Sequence, residues 1–357
     1  MKVSQVIEEL VEERSLDYQV LSDIICEGLL AAYKKRYPYV NFNIIHDNKT
    51  DEISILAEKK VVLAAQDEDA EIGIRKARAF KKDAEVDELL WVPFEGPIGR
   101  IEILKAKQVI AQKIRYIEAV AIYNEFKPKE GSIVVGTIHK SERDGVVVKV
   151  EDALAFLPKS LMIPGDKCVV GYTVRALLKE VLLEPRNDNQ LILDRSGSDF
   201  LTELFKLEIP EIFEKIVEIK KIARIAGYKS KILVISHDKN IDPVGTCIGF
   251  AGARIKPILR ELGVEKVDIM SEQGSREEFV AEALKPAQIN RIAIEGSDAK
   301  VWLAPDQRSL AIGKMGQNIR LASELTGLAI HLMQSDSSGG GDLLQSNEDE
   351  QAVNWEL

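Results

Sequence analysis

The residues best placed to do chemistry in this chain are two glycine pairs, Gly249-Phe250-Ala251-Gly252 and Gly313-Lys314-Met315-Gly316, each set between a short apolar run and a helical stretch. Glycine lacks a Cβ, so its backbone can approach a ligand closely. A Gly-x-x-Gly turn that opens a helix can therefore hold phosphate against the helix's unpaired N–H groups. The second turn carries Lys314 inside it and Gln317, Asn318 and Arg320 just after it, one fixed charge and several donors aimed at phosphate or base edges. In the first, Phe250 and Ala251 fill the turn, and Arg254 and Lys256 on the following helix must supply the positive charge. The first turn is thus expected to hold phosphate more weakly than the second.

Other chemistries fail on the same residue-by-residue test. A Walker loop needs Gly-x-x-x-x-Gly-Lys-Ser/Thr, but Arg308 stands at the first glycine position and Met315 at the hydroxyl position. No Gly-x-Ser-x-Gly elbow or His-Glu-x-x-His pair is present, and His46, His139, His237 and His331 are scattered without metal-ligand spacing. Carboxylate pairs such as Asp67/Asp69 and Glu277/Glu278 read as solvated faces. Cys26, Cys168 and Cys247 are too far apart for a zinc ribbon and read as buried thiols. The expectation is a binding protein with no enzymatic activity, no cofactor and no metal.

The elements around the turns repeat with them. Asp242/Asp306, Ile248/Ile312, Ile255/Ile319 and Gly263/Gly327 share the 64-residue offset of the glycines, so a whole unit is duplicated. Helix, strand, strand, helix, turn, helix and strand are expected near 200–206, 215–223, 230–236, 242–248, 253–262 and 266–270. The second copy follows near 276–285, 289–294, 299–304, 306–312, 317–326 and 328–333. That order around a Gly-x-x-Gly turn is the KH arrangement, which clamps about four nucleotides of single-stranded backbone.

Upstream, residues 132–138, 146–150, 153–157, 168–174, 180–184 and 190–193 read as short strands closing a small oligonucleotide-binding barrel. Phe156 is its candidate base-stacking aromatic, with Arg143, Lys149 and Lys159 as backbone-contacting cations. The other reading is that Phe156 fills the barrel. The chain opens with two amphipathic helices, the first with Val3, Val6, Ile7, Leu10 and Val11 on one face, the second starting at Asp17. Strands at 39–46 and 52–57 follow around an Asp47–Asp51 turn. A long helix after Pro97 carries Ile103, Ala106, Ile110, Ile114, Ile117 and Ala121 on one face. Lys34, Lys35 and Arg36 end the second helix, where they complement the helix dipole.

The net charge of −10 over 357 residues is unevenly spread. Residues 200–333 hold 19 basic and 18 acidic groups, whereas 334–357 hold none and 6, so the duplicated part is not acidic. RNA affinity should then be local, set by loops and stacking platforms rather than by a broad field. The Gly339-Gly340-Gly341 stretch and the acids beyond it read as a disordered acidic tail, either solubilising or a small docking peptide built on Val353, Trp355 and Leu357. No apolar run is long enough to cross a membrane and the first residues are acidic rather than signal-like, which points to a cytoplasmic protein.

Taken together, the residues Ala31-Ala32-Tyr33-Lys34-Lys35-Arg36-Tyr37, Ala106-Lys107-Gln108-Val109-Ile110, Leu204-Phe205-Lys206-Leu207-Glu208-Ile209-Pro210-Glu211-Ile212, Asp242-Pro243-Val244-Gly245 and Leu310 to Ala322 resemble the NusA family of bacterial transcription elongation, termination and antitermination factors. The resemblance implies an α+β multidomain protein. Residues 1–128 would be a polymerase-binding α/β head with its connecting helix, 129–199 an S1-type barrel, and 200–271 and 272–333 tandem prokaryotic-type (type II) KH domains, with 334–357 as the tail. It implies a monomer that docks on the RNA polymerase core near the flap and the RNA exit channel, guides nascent single-stranded RNA along the barrel and KH domains, and works with other Nus factors. The tail is too short for the folded acidic repeats of some members, so autoinhibition by such repeats is not expected. S1 and KH domains would equally suit an RNA-binding protein of ribosome assembly or RNA turnover; the head is what separates the two.

Overall fold

The computed structural model describes residues 18–47, 52–272 and 274–334. The expected helix at 3–11, the Asp17 cap, the interior of the Asp47–Asp51 turn and the acidic tail beyond Gln334 lie outside them. The chain divides into two compact units, residues 1–128 with 182–190, and residues 129–181 with 191–357.

In the first unit, helix α1 (Tyr18–Arg36) precedes strands β1 (Asn41–Asp47) and β2 (Glu52–Val62). Then come β3 (Glu71–Gly73), helix α2 (Ile74–Phe80), β4 (Leu89–Pro93) and the long α3 (Arg100–Phe126). Strand β2 is the hub: it pairs antiparallel with β1 and β4 and parallel with β3. The aromatic rings of Tyr33, Tyr37, Phe42 and Phe94 pack at centroid distances of 5.0–6.2 Å and form the core between α1 and the sheet. Helices α1 and α3 meet through Leu21, Ile24 and Ile114, and Gly28 lets Ile110 rest directly on the α1 backbone.

The sequence reading leaves residues 58–97 unassigned, and the missing pieces are the end of β2, then β3, α2 and β4. On α3 the expected apolar stripe is only partly inward. Ala106 and Ile114 are buried, but Ile103 is 42% exposed and the buried set continues through Ala119 and Phe126.

The second unit opens with a closed barrel of β5 (Ile133–Glu142), β6 (Gly145–Val150), β7 (Ala153–Pro158), β8 (Thr173–Arg186) and β9 (Asn189–Asp194), in the order β5-β6-β7-β9-β8. It has five strands where six runs were expected. Residues 168–172 are loop, turning at Gly171 (φ +87°) and tied to the barrel by Gly171 N donating to the Ile138 carbonyl. The two runs expected at 168–174 and 180–184 are thus replaced by one continuous strand, β8. Its polar middle, Lys179 and Glu180, is solvent-facing: Lys179 Nζ meets Asp194 Oδ2 at 2.9 Å, and Val181 N donates to Glu130 Oε1 at 2.7 Å.

Helices α4 (Ser198–Glu208) and α5 (Pro210–Phe213) lead into the first KH domain. It contains β10 (Val217–Ile225), β11 (Lys229–Ser236), α6 (Pro243–Ile248), α7 (Ile255–Leu262) and β12 (Lys266–Ser271). The second repeats the plan with α8 (Arg276–Ala283), β13 (Arg291–Glu295), β14 (Asp298–Leu303), α9 (Arg308–Ile312), α10 (Gln317–Thr326) and β15 (Ala329–Gln334). In both sheets the first two strands run antiparallel and the last joins parallel to the second.

Buried ion pairs join the barrel to the first KH domain and brace that domain internally. Arg195, 4% exposed, donates to Asp166 in the barrel (2.8 Å) and to Glu261 on α7 (2.7 Å). Arg224 and Glu265 form a second pair at 2.9 Å, with Ser230 and the Gly227 N–H also donating to Glu265. A buried pair satisfied this completely fixes a unique geometry, because removing either partner strands a charge.

Candidate nucleic-acid interface

The two glycine turns have nearly the same backbone. Gly249 and Gly313 both have φ 72°, with ψ 168° and 177°; Ala251 and Met315 sit at φ/ψ 51°/26° and 54°/29°; Gly252 and Gly316 have φ 76° and 73°. Three of the four positions in each turn have positive φ, a conformation costly for side chains other than glycine's. The turns therefore hold one shape at each end with glycine and accept strain only in the middle.

Each turn is pinned from inside by the residue five places after its first glycine. Arg254 Nη1 donates to the Thr246 carbonyl at 2.9 Å; Asn318 Nδ2 donates to the Leu310 carbonyl at 3.3 Å, the equivalent atom 64 residues on. The same side chains pack over the first glycines. A Cβ at Gly249 would lie 2.9 Å from Arg254 Cγ, and one at Gly313 would lie 2.7 Å from Asn318 Cβ.

Arg254 also donates to Glu211 on α5 at 2.9 Å, and Asn318, 3% exposed, donates further to the Leu284 and Ala311 carbonyls. Both residues are candidates for ligand contact in the sequence. As the structure places them, Asn318 Nδ2 is directed to backbone carbonyls around the turn, and Arg254 divides its donors between the Thr246 carbonyl and Glu211.

What faces outward differs between the copies. On the first crest Phe250 is 94% exposed and Ala251 is exposed, and Lys256 is exposed on α7. Beside it lies an open cleft of about 630 Å³ bordered by Asn240, Asp242, Thr246 and Phe250. Asp242 caps α6 by accepting from Val244 N and Gly245 N at 3.1 and 3.0 Å, so its charge is occupied. On the second crest Lys314 and Arg320 are exposed with no ion pair among the described residues, and Met315 is 88% exposed. Gln317 is half-buried, its Oε1 enclosed without a donor.

The sequence reading assigns no role to Arg308, which is exposed on α9 leading into this turn. Its signal is faint: a cation one helical turn and a half before the first glycine. Below the first turn, burial pushes the Cys247 thiol up to about 12, with Glu211 adding to the shift; Cys26 and Cys168, also expected to be buried, are only half-buried.

On the barrel, Phe156 alternates with the buried Ala155 and Leu157, so it lies on the outer face rather than inside. It sits opposite Val147 and over Gly145, where a Cβ would fall 2.8 Å from Phe156 Cζ. Val147 is fully buried, and the ring is half-exposed. Lys159 N donates to the Asp144 carbonyl at 2.8 Å, which brings Lys159 beside Arg143 in the β5–β6 turn; both side chains are exposed, as is Lys149. Phe156, Arg143 and Lys159 thus gather on one part of the barrel. In the first unit Lys34, Lys35 and Arg36 are exposed on the last turn of α1, with the Arg36 guanidinium 6.0 Å from the Tyr37 ring centroid.

The chain matches three family models: the NusA N-terminal domain over residues 3–119, the NusA-like first KH domain over 195–272 and the NusA-like second KH domain over 276–339. Among curated relatives, the Transcription termination/antitermination protein NusA of Thermus thermophilus is 34% identical, covering 98% of this chain and 94% of that protein. The proteins of the same name from Bacillus subtilis and Rickettsia conorii are 33% and 32% identical, covering 90% and 94% of this chain and 88% and 68% of theirs.

Proposed function

The chain belongs to the NusA family of transcription termination/antitermination proteins, and from that premise we propose that it acts on transcription elongation by binding RNA polymerase and nascent single-stranded RNA at once. The observation that carries this reading is the pair of glycine turns with one backbone, the second displaying Lys314 at its crest and Arg320 on the helix behind it, both exposed and without an ion pair among the described residues. Residues 1–128 bind the polymerase core near its flap and RNA exit channel, with Lys34, Lys35 and Arg36 facing polymerase or exiting RNA. Phe156, Arg143 and Lys159 of the barrel and the two KH turns bind the transcript, the second turn gripping its backbone and the first guiding it. Arg254 and Asn318 serve that site by holding the turns in shape.

The protein works by binding rather than catalysis, as a monomer in the cytoplasm, alongside other Nus factors at antitermination sites. Among the described residues no helix is long and apolar enough to cross a membrane. The curated relatives are named for transcription, which favours this reading over one in ribosome assembly or RNA turnover.

The test is a paused elongation complex supplied with the full chain. Enhanced pausing and crosslinking of Lys314 to the emerging RNA are expected, with pausing reduced when Lys34, Lys35 and Arg36 are all changed to alanine. A chain that leaves pausing unaltered and fails to co-purify with core polymerase would overturn the proposal.

A further inference from the structure

The duplication extends to a face that has nothing to do with the glycine turns. In the first KH sheet, the side facing away from that domain's own core presents Lys221 opposite Leu233 opposite Met270, and Ala223 opposite Lys231 opposite Asp268. In the second sheet the corresponding rows are Arg291, Trp302 and Met333, and Ala293, Lys300 and His331. Row by row the residue types agree in five of six places: a cation, a large apolar residue and methionine, then alanine and lysine. These rows lie on the side opposite Ala299, Val301 and Leu303, which are buried in the second domain's core.

The first face is covered. Ala223, Leu233 and Met270 share one buried cluster with Leu321, Ala322 and Leu325 of α10 and Val280 and Ala283 of α8. Gly327 caps the C-terminus of α10, and a Cβ there would lie 3.9 Å from Lys221 Nζ, so the ammonium stands where the helix carbonyls end. A cation at that position complements the helix dipole.

The second face is open. Met333 is 41% exposed, Arg291 and His331 are exposed and Trp302 is half-buried. Lys300 pairs with Glu295 at 3.0 Å, and His331 Nε2 lies 2.9 Å from Asp298 Oδ1. Arg291 has no carboxylate partner among the described residues and lies over the Trp302 ring at 5.0 Å.

We propose that the outer face of the second KH sheet is a docking site for an amphipathic helix of a partner protein. The occupant resembles α10: a stripe of alanine and leucine against Ala293, Trp302 and Met333, with its C-terminal end at Arg291. The argument is the internal one, that the same face in the same register takes such a helix once in this molecule already. Helix-on-apolar-face recognition of this kind reads spaced anchors and a polar end. The site is independent of the glycine turns and of RNA binding.

The chain has three tryptophans, so Trp91→Phe with Trp355→Phe leaves Trp302 as the sole reporter in the full-length protein. The probe is a synthetic peptide of residues 317–328, held helical by a side-chain lactam. A saturable blue shift of Trp302 emission is expected. The shift should be lost with a peptide carrying Ala322→Glu and Leu325→Glu, and lost in the chain carrying Met333→Glu, whose exposed position leaves the circular dichroism spectrum unchanged. Arg291→Glu should weaken binding several-fold. The proposal is overturned if the peptide produces no saturable shift, if Met333→Glu binds it equally, or if single-stranded RNA alone shifts Trp302 and displaces the peptide, which would assign the face to RNA.

Discussion

Position for position, the first KH copy carries Phe250 where the second carries Lys314, on turns whose dihedral angles nearly coincide. The inward pin changes too, from the charged Arg254 tied to Glu211 to the neutral Asn318 tied only to backbone carbonyls. One backbone shape is thus built by two different internal means and displays two different surfaces. The comparison teaches that the glycines specify the turn while the residues between and after them specify what it holds.

The sharpest way to test the shared frame is to load the first glycine of each turn. Both Gly249 and Gly313 have φ 72° with ψ 168° and 177°, a region almost confined to glycine, where alanine costs about 1–3 kcal/mol. At Gly313 the new methyl would also press on Asn318 Cβ at 2.7 Å and its backbone N at 3.0 Å, which cannot move without the helix; overpacking of that kind costs about 1–3 kcal/mol more. At Gly249 the nearest atoms belong to the Arg254 side chain, at 2.9 Å and beyond, and those methylenes can shift. Thermal unfolding should therefore show Gly313→Ala losing about 3 kcal/mol and Gly249→Ala clearly less. Equal losses would mean that the two pins are equally rigid.

The sheets behind the turns give the second test. Lys231 is fully buried beneath the second domain, while its counterpart Lys300 is half-exposed and paired with Glu295. Burial, then the neighbouring Lys229, lowers the Lys231 pKa from 10.5 to about 8, against the pull of Asp268 at 3.2 Å. Between those two values the unfolded chain binds the proton that the folded chain has lost, so Lys231 makes stability rise with pH there and level off above it, against the fall that Cys247, raised from 9.0 to about 12, contributes above pH 9. A pKa unit of difference corresponds to about 1.4 kcal/mol, which makes this an effect of about 3 kcal/mol. Lys231→Met should abolish the rise in melting temperature between about pH 8 and 10.5, and Lys300→Met should leave it intact. A rise that survives Lys231→Met would place the titration elsewhere.

How much of this could be read from sequence follows from what periodicity and spacing encode. The duplicated unit was legible because glycines at one offset leave a mark that no packing can erase, and its element order emerged with it. The direction of a polar side chain leaves no such mark. Arg254 and Asn318 look like ligand donors in the string of letters, and only the closed turn shows their donors pointing inward. Strand β8 reads in the sequence as two runs, 168–174 and 180–184, and the gap between them holds Ala176, Leu177 and Leu178, which the structure buries in the middle of one continuous strand. Phe156 could not be oriented until its alternation with Ala155 and Leu157 fixed the face, because one residue of register reverses every side chain. Strands β3 and β4 are short and hang on β2, so their apolar signal was too brief to separate from loop.

The smallest effect is the one closest to function. If the second turn grips phosphate through Lys314 and the first does not, Lys314→Ala should weaken single-stranded RNA binding by about 1 kcal/mol and reduce the slope of log affinity against log salt by about 0.7, the share of one neutralised phosphate. Phe250→Ala should leave that slope unchanged, because an aromatic crest releases no counterions. Phe250→Lys recreates the second turn's display on the first turn's backbone, and should steepen the slope by about the same 0.7. Fluorescence anisotropy with a labelled single strand at several salt concentrations reads all three. If Phe250→Lys adds nothing while Lys314→Ala removes its full share, the first turn lies off the RNA path, and the likeness of the two backbones would reflect their common origin in a duplicated unit rather than a shared ligand.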